Sequence, residues 1–336
     1  MRTSDFDYSL PDDLIAQTPV EPRDAARLLV VDRHTGGLRH QHVSDLPTLL
    51  APGDLVVVNR SRVLPARVYG RLRGGGRAEL LLLRRISPGR WQTLARPGRR
   101  LRAGDQVAID DGLSATVEAV LPDGLREISL HGSHADPDAA LLSAGSTPLP
   151  PYIRGWVGDP ERYQTIFADT EGSAAAPTAG LHFTPRLLDA LRARGIGLAT
   201  LVLHVGLDTF RPVSVDDPHA HALHREWYTL PADLQSEVQA VRARGGRIVA
   251  VGTTSVRALE SWARSGQTEG WTDLFILPGH QFRLVDALMT NFHLPRSSLL
   301  MLVSAFAGRE QILAAYEAAV RERYRFYSFG DAMLIR

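Results

Sequence analysis

The chain has 336 residues, 44% of them apolar, enough for one large core or two moderate ones, and a formal net charge of +1. All 38 Lys+Arg positions are Arg, and Cys is absent. That combination excludes Schiff-base and P-loop lysines, thiolate nucleophiles, cysteine zinc sites and disulfides, and it predicts a cytoplasmic protein.

Asp5, Asp7, Asp12 and Asp13 stand where an export leader would be apolar, and the longest apolar run, near 299–307, falls far short of the ~20 residues of a membrane span. The first 55 residues carry a helix-then-strand signal, with Leu28 to Val31 as a buried strand. Strand-like runs follow at 63–69, 78–83, 91–95, 114–120 and 125–130. Turn signals separate them at Gly74-Gly75-Gly76, Pro88-Gly89, Pro97-Gly98, Asp111-Gly112 and Pro122-Asp123-Gly124. This spacing predicts antiparallel strands closing into a small barrel or sandwich. Residues 60–102 hold thirteen Arg against a single acid, Glu79, while the rest of the chain is net acidic. Such a basic field suits a polyanion, nucleic acid first, and the expected contacts are Arg62, Arg67, Arg71, Arg73, Arg99, Arg100 and Arg102.

From about residue 150 strands alternate with capped helices. Thr184 and Pro185 open a helix with Leu187, Leu188 and Leu191 on its apolar face, and Gly195 ends it. A strand over 198–205, a helix from near Pro231 and a strand over 247–251 come next. A helix carrying Val256, Leu259 and Ala263 follows, then strands at 274–277 and 299–303 and a last helix with Ile312, Tyr316 and Val320. The predicted fold class is therefore an α/β domain interrupted by an inserted antiparallel β-barrel domain, with 1–59 and 148–336 in the first and 60–147 in the second.

Two small-residue segments could bring backbone close to a ligand. Gly172 to Gly180 runs into a capped helix, with Thr178 and Gly180 as candidate contacts, and Gly252-Thr253-Thr254-Ser255 lies between a buried strand and a helix. His182, His204 and His293 each stand beside a strand end or a turn, where a base could reach a ligand. Asp286 and Asn291 add polar groups nearby. His219, His221, His224 and Glu226 have the look of a metal cluster, but apart from an i, i+3 pair their spacing completes no standard ligand set. No strand is followed by G-x-G-x-x-G, which lowers both dinucleotide binding and ordinary Rossmann methyl transfer.

Longer strings carry a family resemblance. Phe6-Asp-Tyr-Ser-Leu-Pro11, Pro148-Leu-Pro-Pro-Tyr-Ile153, Ala176-Pro-Thr-Ala-Gly-Leu-His-Phe183, Thr209-Phe-Arg-Pro212, His221-x-x-His224-x-Glu226, Thr290-Asn-Phe-His-Leu-Pro295 and Tyr324-Arg-Phe-Tyr-Ser-Phe-Gly-Asp331 are among them. Together they resemble the S-adenosylmethionine:tRNA ribosyltransferase-isomerases of queuosine biosynthesis. Asp208 departs from that pattern, where a Gly is common. The resemblance implies an α/β domain with an inserted barrel, a monomer, no metal, and S-adenosylmethionine used as ribosyl donor. The acceptor it implies is tRNA carrying 7-aminomethyl-7-deazaguanine at the anticodon wobble position, and the products are epoxyqueuosine-tRNA, adenine and methionine.

Such chemistry calls for a base that removes a C5′ proton beside the sulfonium, a proton source for departing adenine, and an anchor for the methionine carboxylate. The expected assignments are His182 or His204 as base and His293 with Asp286 as the adenine-side acid pair. The turn Gly252 to Ser255 with Arg257 is the expected anchor, and Thr178, Gly180 and Asn291 are further contacts to S-adenosylmethionine. Two rival readings are an S-adenosylmethionine-dependent RNA methyltransferase and a non-enzymatic RNA-binding protein.

Overall fold

The computed structural model describes residues 1–121, 124–154, 158–206 and 213–336. Asp208, the Thr209–Pro212 motif and the Pro122-Asp123 turn lie outside the described residues. The chain forms two compact units, one of Met1–Ser61, Pro150–Thr170 and Ala176–Arg336, the other of Arg62–Leu149 and Glu171–Ala175.

In chain order the strands are β1 (Arg27–Val31), β2 (Leu38–His42), β3 (Leu55–Asn59), β4 (Ser61–Val63), β5 (Arg67–Leu72), β6 (Arg77–Ser87), β7 (Arg90–Arg96), β8 (Gln106–Asp110), β9 (Leu113–Val120), β10 (Arg126–Gly132), β11 (Thr170–Ser173), β12 (Gly197–Leu203), β13 (Glu226–Thr229), β14 (Ile248–Val251), β15 (Glu269–Thr272), β16 (Ala287–Asn291) and β17 (Ala332–Ile335). The α-helices are α1 (Leu46–Leu49), α2 (Pro137–Ser143), α3 (Pro185–Ala193), α4 (Ala232–Ala243), α5 (Thr253–Ser265), α6 (Ser298–Ala307) and α7 (Arg309–Arg321).

The first unit is built on a nine-stranded sheet in the order β15-β13-β12-β3-β14-β16-β17-β1-β2. Strands β12, β3, β14 and β16 run parallel, β17 is antiparallel to β16, and β1 runs parallel to β17. Every residue of β3, β14, β16 and β17 is buried, which is why these strands are apolar rather than alternating, with polar residues only at the ends of β3 (Asn59) and β16 (Thr290 and Asn291). The edge strand β2 is instead polar, Leu38-Arg-His-Gln-His42, and so offers no apolar edge for further pairing. The Thr184 hydroxyl accepts from Leu187 N at 3.1 Å, the cap that starts α3, and Leu187 and Leu191 pack into the same core as Val56, Val58 and Val249.

Two expectations fail here. Residues 274–277 form no strand, and the strand pairing at this edge belongs to β15. Residues 299–303 lie in α6, whose first turn is capped by Ser297 Oγ accepting from Leu300 N at 3.1 Å. An all-apolar run has no period to separate a buried helix from a buried strand, and the capping serine was the signal that decided it. Among the described residues no single helix is long and apolar enough to cross a membrane, and α6 and α7 reach that length only together, bent by 114°.

The second unit is a closed six-stranded antiparallel barrel in the order β10-β7-β6-β5-β8-β9. Alternate residues fill it: Val68 on β5, Ala78, Leu80 and Leu82 on β6, Val107 on β8, Ala115 and Val117 on β9, and Ile128 on β10. Trp91 joins this core and donates its indole N–H to Asp138 Oδ1 at 2.6 Å, so the one polar atom of a large buried ring is satisfied.

Candidate active site

The parallel strands end at one edge of the sheet, and the residues that follow them gather there: Asn59 and Ser61 after β3, His204 and Val205 after β12, Gly252 to Thr254 after β14, and Asn291 to His293 after β16. The chain leaves β3 for β12 on one side and β14 lies on the other, so a crevice opens where the strand order reverses. It holds about 620 Å³ of empty space, part of it open to solvent, between Tyr152, Ala176 to Ala179, Val205, Gly252 to Thr254, Thr290 to Leu294, Tyr327 and Ser328. Small side chains on the Ala176–Ala179 stretch leave the room, and aromatic and polar groups close the opposite wall.

Gly252 fits its position by conformation. Its φ is +85°, and its N–H donates to Met289 O at 2.7 Å, turning the chain from β14 into α5. Thr253 and Thr254 then present the unsatisfied first turn of a thirteen-residue helix to the cleft. Ser255 is fully buried and its hydroxyl donates to Val251 O at 2.7 Å, so it faces the core and not the cleft. Arg257 is also turned away. Its Nε donates to Leu274 O at 3.0 Å and its Nη1 is paired with Glu226, one helical turn behind the cleft wall. Gly180 packs against Thr165, where a Cβ would stand 3.0 Å from Cγ2, while Thr178 does line the cleft.

The three histidines differ in what their rings do. His182 Nε2 meets Asn291 Nδ2 at 3.2 Å, and the ring also bonds to the backbone of Arg23. Burial pushes its pKa down to about 4, with the nearby Arg23 and Arg325 charges acting the same way. Its ring is neutral at neutral pH, stands outside the cleft lining and ties Asn291 to the backbone of Arg23. His293 lines the cleft, with Nε2 3.0 Å from Thr290 Oγ1, and burial pushes its pKa down to about 3. It is therefore a neutral hydrogen-bonding group at neutral pH and not a cationic acid. His204 is half-buried, with Nδ1 2.8 Å from Ser61 Oγ, and its ring stacks on Trp227 with centroids 5.5 Å apart. Burial lowers its pKa as well.

Asp286 does not join His293. It precedes β16, at the opposite end of that strand, where it accepts from Arg242 Nη1 at 3.0 Å and from Ile248 N at 2.7 Å. It is a strut between α4 and two strands. Glu226 is buried and spent on Arg257 and on Gly206 N, 2.7 Å away, while His221 packs edge-on against Phe275. Among the described residues no group of three or more His, Asp or Glu is disposed to hold a metal.

Several residues in or behind the cleft wall carry no isolated sequence signal. Asn59, buried at the end of β3, donates to Leu203 O at 2.8 Å and to Thr254 Oγ1 at 3.2 Å, and accepts from Ser61 N at 3.0 Å. It thus ties the β12 end, the α5 start and the serine that holds His204. Tyr152 OH meets Ser328 Oγ at 2.6 Å, its ring lies 4.7 Å from that of Tyr327, and burial raises its pKa to about 12. Tyr8 OH donates to His293 O at 2.5 Å and Tyr316 OH accepts from His293 N at 2.9 Å, which clamps the histidine backbone from both sides. A position at φ +70° for Tyr327 and a clamp from residue 8 to residue 293 are visible only in three dimensions.

On the barrel, Arg71, Arg73, Arg99, Arg100 and Arg102 are exposed. Arg62 and Arg67 are half-buried, and Arg67 is paired with Glu79 at 3.3 Å. Acids from later in the chain offset part of the basic segment: Asp138 meets Arg85 and Glu127 meets Arg90.

Residues 3–335 match the family model described as "Queuosine biosynthesis protein". The chain is 55% identical to the S-adenosylmethionine:tRNA ribosyltransferase-isomerase of Moorella thermoacetica, 54% to that of Symbiobacterium thermophilum and 51% to that of Thermotoga maritima, over the full length of both chains in each case. It is also similar to the crystal structure of the S-adenosylmethionine tRNA ribosyltransferase from Thermotoga maritima, with a TM-score of 0.58 and 42% identity over 99% of this chain and 100% of that one.

Proposed function

The chain belongs to the queuosine biosynthesis protein family, and from that premise we propose that it works as an S-adenosylmethionine:tRNA ribosyltransferase-isomerase. The ribosyl part of S-adenosylmethionine is transferred and isomerised onto 7-aminomethyl-7-deazaguanine at the tRNA wobble position. Epoxyqueuosine-tRNA forms, and adenine and methionine leave. The observation that carries this reading is the cleft at the ends of four parallel strands, where a helix N-terminus faces neutral imidazole and aromatic groups across a space lined by small residues.

Within that cleft the residues divide by chemistry. The free N–H groups at Thr253 and Thr254 suit the methionine carboxylate, which a helix N-terminus attracts. His293, kept neutral and held at Nε2 by Thr290, suits a hydrogen bond to the departing adenine. His204, which precedes the lining residue Val205 and stands outside the lining itself, is the favoured C5′ base: it stays deprotonated at neutral pH, and Ser61 and Trp227 fix its ring. Asn291 and Thr178 hold the wall between them, and the exposed barrel arginines supply phosphate contacts for the tRNA. The protein acts as a monomer without a metal.

Single-turnover product analysis tests the reading. S-adenosylmethionine labelled separately in adenine, ribose and methyl is mixed with tRNA bearing the aminomethyl-deazaguanine. Release of adenine and methionine with ribose label in the tRNA is expected. Methyl label in the RNA would make the chain a methyltransferase, and binding of RNA without turnover would make it a binding protein.

A further inference from the structure

The outer face of the barrel carries an arrangement that the catalytic cleft does not use. Strand pairing sets Arg71 directly opposite Arg77, and Tyr69 directly opposite Glu79, while Glu79 faces Arg96 on the next strand. Residues two apart on a strand point the same way, so these side chains share one face, and Val68, Ala78 and Leu80 between them fill the core behind it. Like charges set directly opposite each other destabilise a sheet. Here Glu79, the acid in the row, is already engaged by Arg67, and among the described residues no acid lies within ion-pair distance of Arg71, Arg77 or Arg96. Beside them the Tyr69 ring is 59% exposed.

These residues line an open groove with about 1760 Å³ of empty space, together with Ala108 to Asp111 at the end of the neighbouring strand β8, where Ala108 pairs with Arg71. Asp110 is held by Gly112 N at 2.8 Å and by His134 at 3.5 Å. Asp111 remains as an acceptor, which suits an exocyclic base amine and not a phosphate. An unpaired cationic row, an exposed ring in its midst and a neighbouring acceptor match the phosphates, the base face and an exocyclic base amine of a nucleotide. Charge repulsion across the Arg71–Arg77 pair is relieved when a phosphate bridges it, and a ring stacks with an unpaired base regardless of its identity.

We propose that this face is a subsite for an unpaired nucleotide of RNA, with the base stacked on Tyr69 and the flanking phosphates held by Arg71, Arg77 and Arg96. The proposal rests on the reading of the chain as an enzyme of tRNA and adds the place where the barrel grips a splayed-out residue. It also separates Tyr69, Arg77 and Arg96 from arginines that bind the RNA backbone in general.

The test compares the full chain binding two RNAs with equal numbers of phosphates, one a hairpin with an unpaired loop and the other fully paired. Tyr69→Ala is expected to weaken hairpin binding about ten- to a hundredfold and to leave duplex binding unchanged, whereas Tyr69→Trp retains both. Replacing Arg71 and Arg77 by Gln lowers the slope of log affinity against log salt by about one for each phosphate that is no longer neutralised. Tyr69 is exposed, so an unchanged melting curve verifies that its variants fold. Equal hairpin affinity for Tyr69→Ala and the parent chain overturns the subsite, and so does an equal loss on both RNAs, which would leave only a polyanion surface. Binding is read without turnover. A parent chain that shows the split between RNAs but releases no adenine overturns the catalytic reading and keeps the subsite.

Discussion

Thr178 Oγ1 donates to Asn291 Oδ1 across 2.9 Å, and that bond decides which way the asparagine amide faces. Its Nδ2 is left toward two acceptors, His182 Nε2 and Tyr327 O, each 3.2 Å away. Because Nε2 of His182 accepts, the ring proton sits on Nδ1, toward the backbone of Arg23. One buried amide therefore joins the turn Thr178–His182, the end of β16 and the segment before β17, and sets an imidazole tautomer as it does so.

Asn291→Asp should show how much depends on that amide. It replaces the donor by an acceptor facing two acceptors, in a site where a polar group without a partner costs about 1–3 kcal/mol. Thr178→Val removes one bond and should cost about 1 kcal/mol. Denaturant unfolding of the two variants is expected to rank Asn291→Asp well below Thr178→Val, and equal stability would show that the amide is not the tie described.

Gly252→Ala probes the entry to the cleft. A Cβ there has room, since the nearest atom is Ala179 Cβ at 3.6 Å, but φ +85° is strained for any residue with a Cβ. Gly266, at φ +73° with open space around it, ends the same helix. Both alanine variants should lose about 1–2 kcal/mol, and only Gly252→Ala should also weaken S-adenosylmethionine binding. Calorimetric titration separates them, and parallel losses of affinity would remove the α5 start from the cofactor wall.

How much of this could be read from residues follows from where the signal lies. Capping at Thr184, the 3.6-residue spacing of Val256, Leu259 and Ala263, and the described turn pairs of the barrel are local, and each marked a true element. Gly252 to Thr254 and Asn291 to His293 stood out because glycine, hydroxyls and a histidine followed apolar runs, and four strand ends do bring them together. Asp286 misled because closeness in sequence to His293 is spent along an extended strand, which carries the two to opposite edges of the sheet. Asn59 and Tyr8 escaped notice because their partners lie at residues 203, 254 and 293, and no spacing rule reaches that far.

His204→Ala should lower single-turnover adenine release by about two to four orders of magnitude if its ring removes the C5′ proton. Burial lowers its pKa, so the base remains unprotonated to below the ordinary value near 6.5. The acid limb of the kcat/KM profile should accordingly lie under that value. Ser61→Ala frees Nδ1 and should shift the limb and reduce the rate less than His204→Ala does. A His204→Asn variant with the parent rate would end the assignment.

Arg257 and Glu226 form a buried pair behind the cleft, at 9% and 4% exposure. Arg257→Gln leaves the carboxylate with Gly206 N alone and should destabilise by about 3–5 kcal/mol. If the pair is structural, changing Glu226 to Gln as well recovers much of the loss, and KM for S-adenosylmethionine in the double variant stays near the parent value. A large rise in KM at restored stability would return Arg257 to the role of carboxylate anchor.

The buried histidines make a prediction about acid. Folding lowers the pKa of His182 to about 4 and of His293 to about 3, from an unfolded value near 6.5. Between pH 6.5 and those values the unfolded chain binds protons that the folded chain refuses, so stability is full above about 6.5 and falls as pH drops through the window. Each ring contributes up to about 1.4 kcal/mol per pH unit there. Carboxylates with lowered pKa, such as Asp54 beside Arg247, lose their contribution over an overlapping but lower range, so the histidine share is best read by difference. His182→Gln keeps an amide able to meet Asn291 but has no proton to gain, so its stability between pH 6.5 and 4 should fall less steeply than that of the parent by about one proton's worth. Parallel unfolding curves across that window would mean that His182 is protonated in the folded chain, and that the tautomer set by Asn291 is not the one present.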